Sequence, residues 1–424
     1  MYHDAMPGAA EHLATHAPIT GYIGFDPTAA SLHIGNLATI MLLVHLQRAG
    51  HRPVALVGGA TGMIGDPSGK SAERNLLDEA TLRHNQAGIQ AQLEKFLDFS
   101  EGPTGALVVN NYDWFKEIGF LGFLREVGKH LTVNYMMAKD SVKRRIGGGE
   151  EGDSSGISYT EFSYQLLQGY DFVHLNKTLN CTLQMGASDQ WGNITTGTEL
   201  IRRLANAEDR EAKAYALTGQ LITKADGTKY GKSETGTVWL DPKLTSPYQF
   251  YQFFLKAADA DAPRLIRVFT LFSQAEIEAI EAEHTLNPGL NILQKALAKD
   301  VTIRVHSEAA FEAALAASQV LFGGGDFLRL DEATLLDVFA GETQVQVPHA
   351  EVADMNVAVL LSDATDKKIL PSRGEVRKLI QSNGISINRE KLASPDVAVS
   401  SLALLHNRYL VVKKGKKHYL IEFI

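Results

Sequence analysis

The sequence predicts an α/β protein in three parts: a parallel-sheet domain, a mainly helical domain, and a small basic α+β domain at the carboxyl end. Three observations carry this. Short apolar runs that end in glycine or polar turns alternate with helical patterns through the first half, as in a parallel sheet with crossover helices. From Ser246 the aromatics Tyr248, Phe250, Tyr251, Phe253 and Phe254 crowd together, and Leu265, Val268 and Leu271 continue at helical spacing. The charge then changes sign: the whole chain carries −8, while Leu361 to Ile424 holds twelve Lys and Arg against six Asp and Glu, a net +6.

Taken in order, Ile19 to Phe25 predicts a strand, and Leu37 to Arg48 a helix stopped by Gly50. Arg52 to Val57 predicts a second strand entering Gly58-Gly59-Ala60-Thr61-Gly62, Ala106 to Val109 a third and Leu179 to Met185 a fourth. Turns after such strands lie along the carboxyl edge of the sheet, where these folds bind ligands. Asn287-Pro288-Gly289 marks a turn within the helical part, and Gly323-Gly324-Gly325 ends it. The expected domains are 1–222, a connector over 223–245, a helical domain over 246–325, an acidic linker over 326–360, and the basic domain over 361–424.

Composition sets limits on function. With 424 residues, 45% hydrophobic and 21% charged, a folded enzyme fits and global disorder does not. The longest mainly apolar run, Leu37 to Leu46, falls far short of the roughly 20 residues that cross a bilayer, so no membrane partner is expected. The first 30 residues contain no Lys or Arg, which argues against a secretory leader. The single cysteine, Cys181, cannot form an internal disulfide, so a reducing cytoplasmic location is expected.

Four clusters carry chemistry. His33-Ile34-Gly35-Asn36 joins the first strand region to a helix start, where free N–H groups and the positive dipole end favour phosphate. Taken alone, a histidine there is more often a cap or packing residue. Gly65-Asp66-Pro67-Ser68-Gly69-Lys70 has three residues between its outer glycines where a phosphate loop needs four, which argues against a P-loop enzyme. Asp66 is left as an acid on a rigid turn, or simply as a turn cap. Tyr164, Gln168 and Asp171 share one helix face, which reads a polar ligand or faces solvent. Lys229-Tyr230-Gly231-Lys232-Ser233 is a lysine loop that can close over a pyrophosphate, or an exposed basic turn.

The first and fourth clusters, in that order, resemble the HIGH and KMSKS signatures of class I aminoacyl-tRNA synthetases. With Tyr22 to Asp26, Gly58 to Asp66, Phe162 to Asp171 and Ser188-Asp189-Gln190-Trp191-Gly192-Asn193, the chain is similar to the bacterial tyrosyl-tRNA synthetase family. Pro371 to Ile380 resembles the RNA-binding module that this family shares with a small-subunit ribosomal protein. The resemblance implies a Rossmann-like catalytic domain, a helical anticodon-recognition domain and a small RNA-binding domain. It implies a ligase that joins L-tyrosine to ATP, forming tyrosyl adenylate, and then to tRNA.

By that resemblance Tyr22, Asp66, Asn111, Tyr164, Gln168, Asp171 and Gln190 line the tyrosine pocket. Tyr22 and Asp171 would bond the phenol, and Asp66, Tyr164 and Gln168 would receive the ammonium. ATP would lie against Gly24, Asp26, His33, Gly35, Asn36, Asp189, Lys229, Lys232 and Ser233. His33, Asn36, Lys229 and Lys232 would stabilise the transferring phosphates, assisted by Lys70 and Arg74. Mg²⁺ would arrive with ATP, with no dedicated protein metal site. Arg373, Arg377, Lys378, Arg408, Lys413, Lys414, Lys416 and Lys417 would grip tRNA backbone. The family is homodimeric, and Phe120 to Met137 resembles its dimer contact. Two positions depart from the family pattern: Asn36 stands where histidine is common, and Ile23 where a small polar residue often lies near the ribose. The related tryptophanyl enzymes share both signatures, but an indole offers one donor and no acceptor, so a Tyr22–Asp171 pair suits a phenol better.

Overall fold

The computed structural model describes residues 2–66, 78–146, 156–225, 227–228, 230–233, 236–323, 327–415 and 417–424. Lys70, Arg74, Lys229 and Lys416 lie outside the described residues, and Lys232 and Ser233 are described as backbone.

Six strands form the first sheet: β1 (Tyr2–Ala5), β2 (Thr20–Phe25), β3 (Arg52–Val57), β4 (Leu107–Asn110), β5 (Cys181–Ala187) and β6 (Tyr215–Gly219). Their order is β1-β6-β5-β2-β3-β4. Strands β2 to β6 are parallel, and β1 runs antiparallel to β6. The four strands read from sequence are present. Strands β1 and β6 lie outside the sequence expectation; the residues of β1 are mostly exposed, so no apolar alternation marks it, and β6 is only five residues long.

Parallel strands need crossovers, and these bury both faces of the sheet. Helix Ile34–Arg48 follows β2 and buries Leu37, Ile40, Met41 and Leu43. Helices Tyr159–Leu179 and Trp191–Ala207 pack on each other, and Tyr22, Val54, Leu56, Phe172 and Leu200 form one apolar cluster with them. Within that cluster the Tyr22 and Phe172 rings lie 5.4 Å apart. Because neighbouring strand residues alternate faces, Tyr22 and Ile23 serve opposite sides of the sheet.

Two short strands, β7 (Lys232–Ser233) and β8 (Gly236–Thr237), pair antiparallel in the second signature region. Helices then occupy Pro247–Leu255, Ala262–Phe269, Gln274–Leu286, Ile292–Val305 and Glu308–Gly323, as the aromatic-rich spacing predicts. The chain divides into two compact units, Met1–Thr245 with Phe253–Val305, and Ser246–Gln252 with His306–Ile424.

The second unit carries a sheet of β9 (Thr343–Val347), β10 (Ile385–Ile387), β11 (Glu390–Lys391), β12 (Tyr409–Lys414) and β13 (Lys417–Phe423). Its order is β11-β10-β12-β13-β9, with only β9 and β13 parallel. Residues 327–360 are folded and do not form the expected linker over 326–360. Strand β9 pairs with β13, and Val345, Val347, Val352, Val357 and Leu360 belong to the buried core of this unit. The stretch looked weakly periodic because its elements, Glu332–Val338, β9, His349–Val352 and Val357–Leu360, are each too short to set a period.

Candidate active site

The carboxyl ends of β2, β3 and β4 bring the predicted pocket residues together. Asn111 follows β4 directly, and Tyr22 lies on β2 with Val54 beside it on β3 and Gln184 beside it on β5. Helix Tyr159–Leu179 starts on a Ser158 cap, whose hydroxyl accepts the Glu161 N–H at 3.1 Å. Along it, Tyr164 and Asp171 turn inward and are buried, so their shared face is not a solvent face.

Asp171 is 2% exposed. Its carboxylate accepts from Asn111 Nδ2 at 3.1 Å and from Trp114 Nε1 at 3.0 Å. Burial nevertheless holds the carboxyl well above the ordinary carboxylate range, outweighing those two hydrogen bonds. Tyr22 is 1% exposed, and its hydroxyl has no hydrogen-bond partner among the described residues. Burial first, then the Asp171 charge, pushes this phenol well above its usual value, so the hydroxyl stays protonated beside a carboxylate. The side-chain oxygen of Gln168 is likewise buried without a partner. Buried polar atoms are rarely left unsatisfied, and these two lie on the face shared by the pocket residues.

Around these orphans lies a closed network. Tyr164 donates to Asp26 Oδ2 at 2.8 Å, and Thr61 donates to Asp26 Oδ1 at 2.8 Å. Asn111 donates to Thr61 at 3.0 Å and accepts from the Ala60 N–H at 2.7 Å, tying the glycine-rich loop to the pocket. Asp66 accepts from Gln190 Nε2 at 2.8 Å and from Asn193 Nδ2 at 3.3 Å. Burial first, then Asp26 and Asp66, raises the Tyr164 phenol well above its usual value, and Asp171 adds to it. The charges of Asp26, Asp66 and Asp171 thus all act on this phenol, a field that favours a bound cation such as an ammonium group. Gly58 is required for this approach: a Cβ there would sit 2.2 Å from Asp26 Oδ1.

The two signature segments meet through backbone. Ile34 N donates to Val238 O at 3.1 Å, Val238 N to Gly231 O at 3.0 Å, and Leu240 N to Leu32 O at 2.8 Å. Gly231 adopts φ +108, and a Cβ on it would lie 3.3 Å from Gly35 N. Lys232 follows in β7, adjacent in sequence to this contact. His33 is the N-cap of helix Ile34–Arg48 and forms a reciprocal box: its Nδ1 accepts from Asn36 N at 3.3 Å, and Asn36 Oδ1 accepts from His33 N at 3.1 Å. The capping and ligand-binding readings of His33 are thus compatible. With its oxygen so used, Asn36 keeps Nδ2 as a donor with no protein partner among the described residues. Beside the helix start, Gly35, Ala38, Thr39, Ala187, Gly219 and Leu221 line part of a small, partly open cavity of about 30 Å³. Gly24 is exposed at its place in β2, and Asp189 sits in the turn Ser188–Gln190 at the end of β5.

In the second unit, four of the expected tRNA-gripping residues are paired internally: Arg373 with Asp363 at 2.5 Å, Arg377 with Asp396 at 3.9 Å, Arg408 with Glu422 at 2.6 Å, and Lys414 with Glu375 at 3.4 Å. Lys378, Lys413 and Lys417 are exposed and make no ion pair among the described residues.

Thr61, Trp114 and Asn193 belong to the network but were not singled out from sequence. Thr61 and Asn193 sit inside motifs already noted. Trp114 had no local signal, because its partner Asp171 is 57 positions away. Its ring also stacks on His174 at 4.3 Å, which fixes the indole N–H toward the carboxylate.

Comparison with known proteins gives the family. Residues 14–323 match the family described as tRNA synthetases class I (W and Y), and residues 340–421 match the tyrosine--tRNA ligase SYY-like C-terminal domain. A tyrosine--tRNA ligase of Bacteroides fragilis is 58% identical over 423 residues, covering 99% of this chain and 96% of that protein. One from Cytophaga hutchinsonii is 58% identical over 428 residues, covering 100% and 97%. Among solved structures, a C-terminally truncated mitochondrial tyrosyl-tRNA synthetase of Coccidioides posadasii aligns with TM-score 0.64 at 31% identity, over 74% of this chain and 88% of that one. The corresponding Aspergillus nidulans protein gives 0.67 at 28% identity, over 76% and 91%. The second matched region begins ahead of β9, in line with the folded state of that stretch. With the signature segments joined at Gly35 and Gly231 and full-length relatives at this identity, the chain belongs to the tyrosyl-tRNA synthetase family of class I aminoacyl-tRNA synthetases.

Proposed function

We propose that this chain activates L-tyrosine with ATP to tyrosyl adenylate and pyrophosphate, then transfers the tyrosyl group to the terminal ribose of tRNA. The observation that carries the amino-acid choice is the buried, unpartnered Tyr22 hydroxyl next to the Asp171 carboxylate. A substrate phenol donates to Asp171 and accepts from Tyr22, satisfying both. Its ammonium sits in the field of Asp66 and Asp26, with Tyr164 and Gln168 as acceptors. Phenylalanine would leave the buried Tyr22 hydroxyl unsatisfied, at a cost of about 1–3 kcal/mol, and would give Asp171 no donor beyond Asn111 and Trp114.

The mechanism needs no general base, because the substrate carboxylate is already ionised at neutral pH and can attack the α-phosphorus directly. Positioning and charge stabilisation remain. ATP enters as its Mg²⁺ complex, its base and ribose along Gly24, Gly35, Asp189 and the cavity beside Thr39. The helix start at His33 and Asn36 holds the phosphates. Lys229 and Lys232 close over the departing pyrophosphate, with Lys70 and Arg74 assisting. Residues 361–424 supply tRNA contacts, among them Arg373, Arg377, Lys378, Arg408, Lys413, Lys414, Lys416 and Lys417, and the helices after Ser246 read the anticodon.

The protein works as a homodimer in the cytoplasm. Support for the dimer is an apolar surface: Phe120 is 65% and Leu121 79% exposed, with Val133 and Met137 also open. Sedimentation at micromolar concentration tests the dimer, and a monomer would remove it. The test of activity is ATP–pyrophosphate exchange with tyrosine, phenylalanine and tryptophan. Tyrosine alone is expected to drive exchange efficiently, and exchange driven by tryptophan would overturn the pocket assignment.

A further inference from the structure

Helix Ala262–Phe269 holds the approach to the second signature from both of its ends, a contact that no role assigned above explains. The stretch from Ile222 to Tyr230 folds back on itself: Tyr230 N donates to Ile222 O at 3.1 Å, and Lys224 N to Thr228 O at 2.7 Å. Tyr230 ends this turn and stands in sequence between Lys229 and Lys232, the two cations of the signature.

An ion pair pins the first arm of the turn. Asp261 occupies the N-cap of the helix, where a carboxylate ordinarily accepts an N–H of its own helix, yet its side chain makes no such bond. Its Oδ2 instead accepts from Ala225 N at 3.3 Å, and its Oδ1 accepts from Arg264 Nη2 at 3.2 Å. Arg264 Nη2 also donates to the Thr223 carbonyl. Asp261 is buried, so water competes little for these bonds. A buried acid that leaves its own helix uncapped and bonds a loop 36 positions earlier is placed for the loop.

Aromatic rings pin the second arm. Tyr230 is buried, with its ring centroid 5.0 Å from that of Phe253, 6.3 Å from Phe254 and 6.0 Å from Phe269. Phe269 is the last residue of the helix, and its carbonyl accepts from Arg304 Nη1 at 2.7 Å, which fixes that end in turn. Burial first, then the Asp261 charge, pushes the Tyr230 phenol up, with Arg264 opposing, so the ion pair and the ring act on each other. The next residue, Gly231, is the one that approaches Gly35 N. Where Tyr230 is held therefore sets where the second signature meets the first.

We propose that Arg264 and Asp261 are positioning residues for adenylate formation. Together with the ring-anchored Tyr230 they fix the backbone leading into the lysine segment, so its ammonium groups stabilise the departing pyrophosphate without further ordering in the transition state. The assignment rests on the ligase reading and adds to it residues outside both signatures.

The test uses the full-length protein. Arg264→Met removes both guanidinium bonds and keeps an unbranched stem, and Asp261→Asn keeps an acceptor for Ala225 but loses the ion pair. Single-turnover adenylate formation should slow by roughly ten- to a hundredfold in Arg264→Met. Asp261→Asn should slow it less, and Arg264→Lys, which retains one donor group for Thr223 O, should recover part of the rate. The tyrosine dissociation constant and the ATP concentration for half-maximal rate should stay at wild-type values, the mark of an interaction expressed in the transition state. A wild-type rate in both Arg264→Met and Asp261→Asn would overturn the proposal. So would a slower rate matched by weaker tyrosine binding or a lowered unfolding midpoint, because damage to the fold then accounts for the loss. A wild-type protein that forms no adenylate from tyrosine would instead remove the ligase reading on which the assignment rests.

Discussion

At the scale of single residues, the proposed discrimination depends on the Tyr22 hydroxyl, buried without a protein partner among the described residues, and on the buried Asp171 carboxyl beside it, which burial raises in pKa. Tyr22→Phe removes the buried hydroxyl without opening a cavity. It should narrow the preference for tyrosine over phenylalanine in pyrophosphate exchange by about 1–3 kcal/mol, roughly 5- to 150-fold, while ATP KM changes little. An unchanged preference would mean that Tyr22 does not touch the substrate. The motif residues were legible from sequence because their spacing is local: Tyr164 to Asp171 lie on one helix, and His33 to Asn36 on one turn. What could not be read was how they are held. Trp114 reaching Asp171, Thr61 and Tyr164 sharing Asp26, and Gln190 reaching Asp66 all join residues far apart in the chain, and only the folded sheet edge brings them together.

Among the elements, strands and helices with strong apolar periods were legible nearly to the residue, as β3 at Arg52–Val57 illustrates. Exposed or very short elements were not. The edge strand β1 has almost no buried residue, and the pieces between 326 and 360 run only four to seven residues each in helix or strand. Those pieces nevertheless build a core. Leu360 is 0% exposed within it, so Leu360→Ala should destabilise the second unit by about 2–5 kcal/mol, read as a lowered unfolding midpoint for that unit. A linker residue would show no such shift. The capping box at His33 gives a second lesson at this scale: the same side chains that start the helix also stand where phosphate is expected, so substitution of Asn36 by Ala should cost both helix stability, about 1 kcal/mol, and adenylate formation.

For the whole molecule, the sequence already separated an acidic body from a basic carboxyl end, −14 against +6. That asymmetry suits a protein whose small-molecule chemistry and RNA contacts lie on different parts of the chain. The structure moves the useful boundary: because β9 pairs with β13, a cut at residue 361 would split a sheet, and one before β9 would not. Removing residues 340–424 should therefore spare tyrosine-dependent pyrophosphate exchange and impair tRNA charging, with steady-state assays of both steps as the check. Loss of exchange as well would contradict that division. The most direct measurement of the central claim is a crystal structure of the protein with bound tyrosine. The phenol oxygen should lie within hydrogen-bonding distance of both Tyr22 Oη and the Asp171 carboxylate, with the ammonium facing Asp66. A ring bound elsewhere, or a Tyr22 hydroxyl still without a partner in that complex, would contradict it.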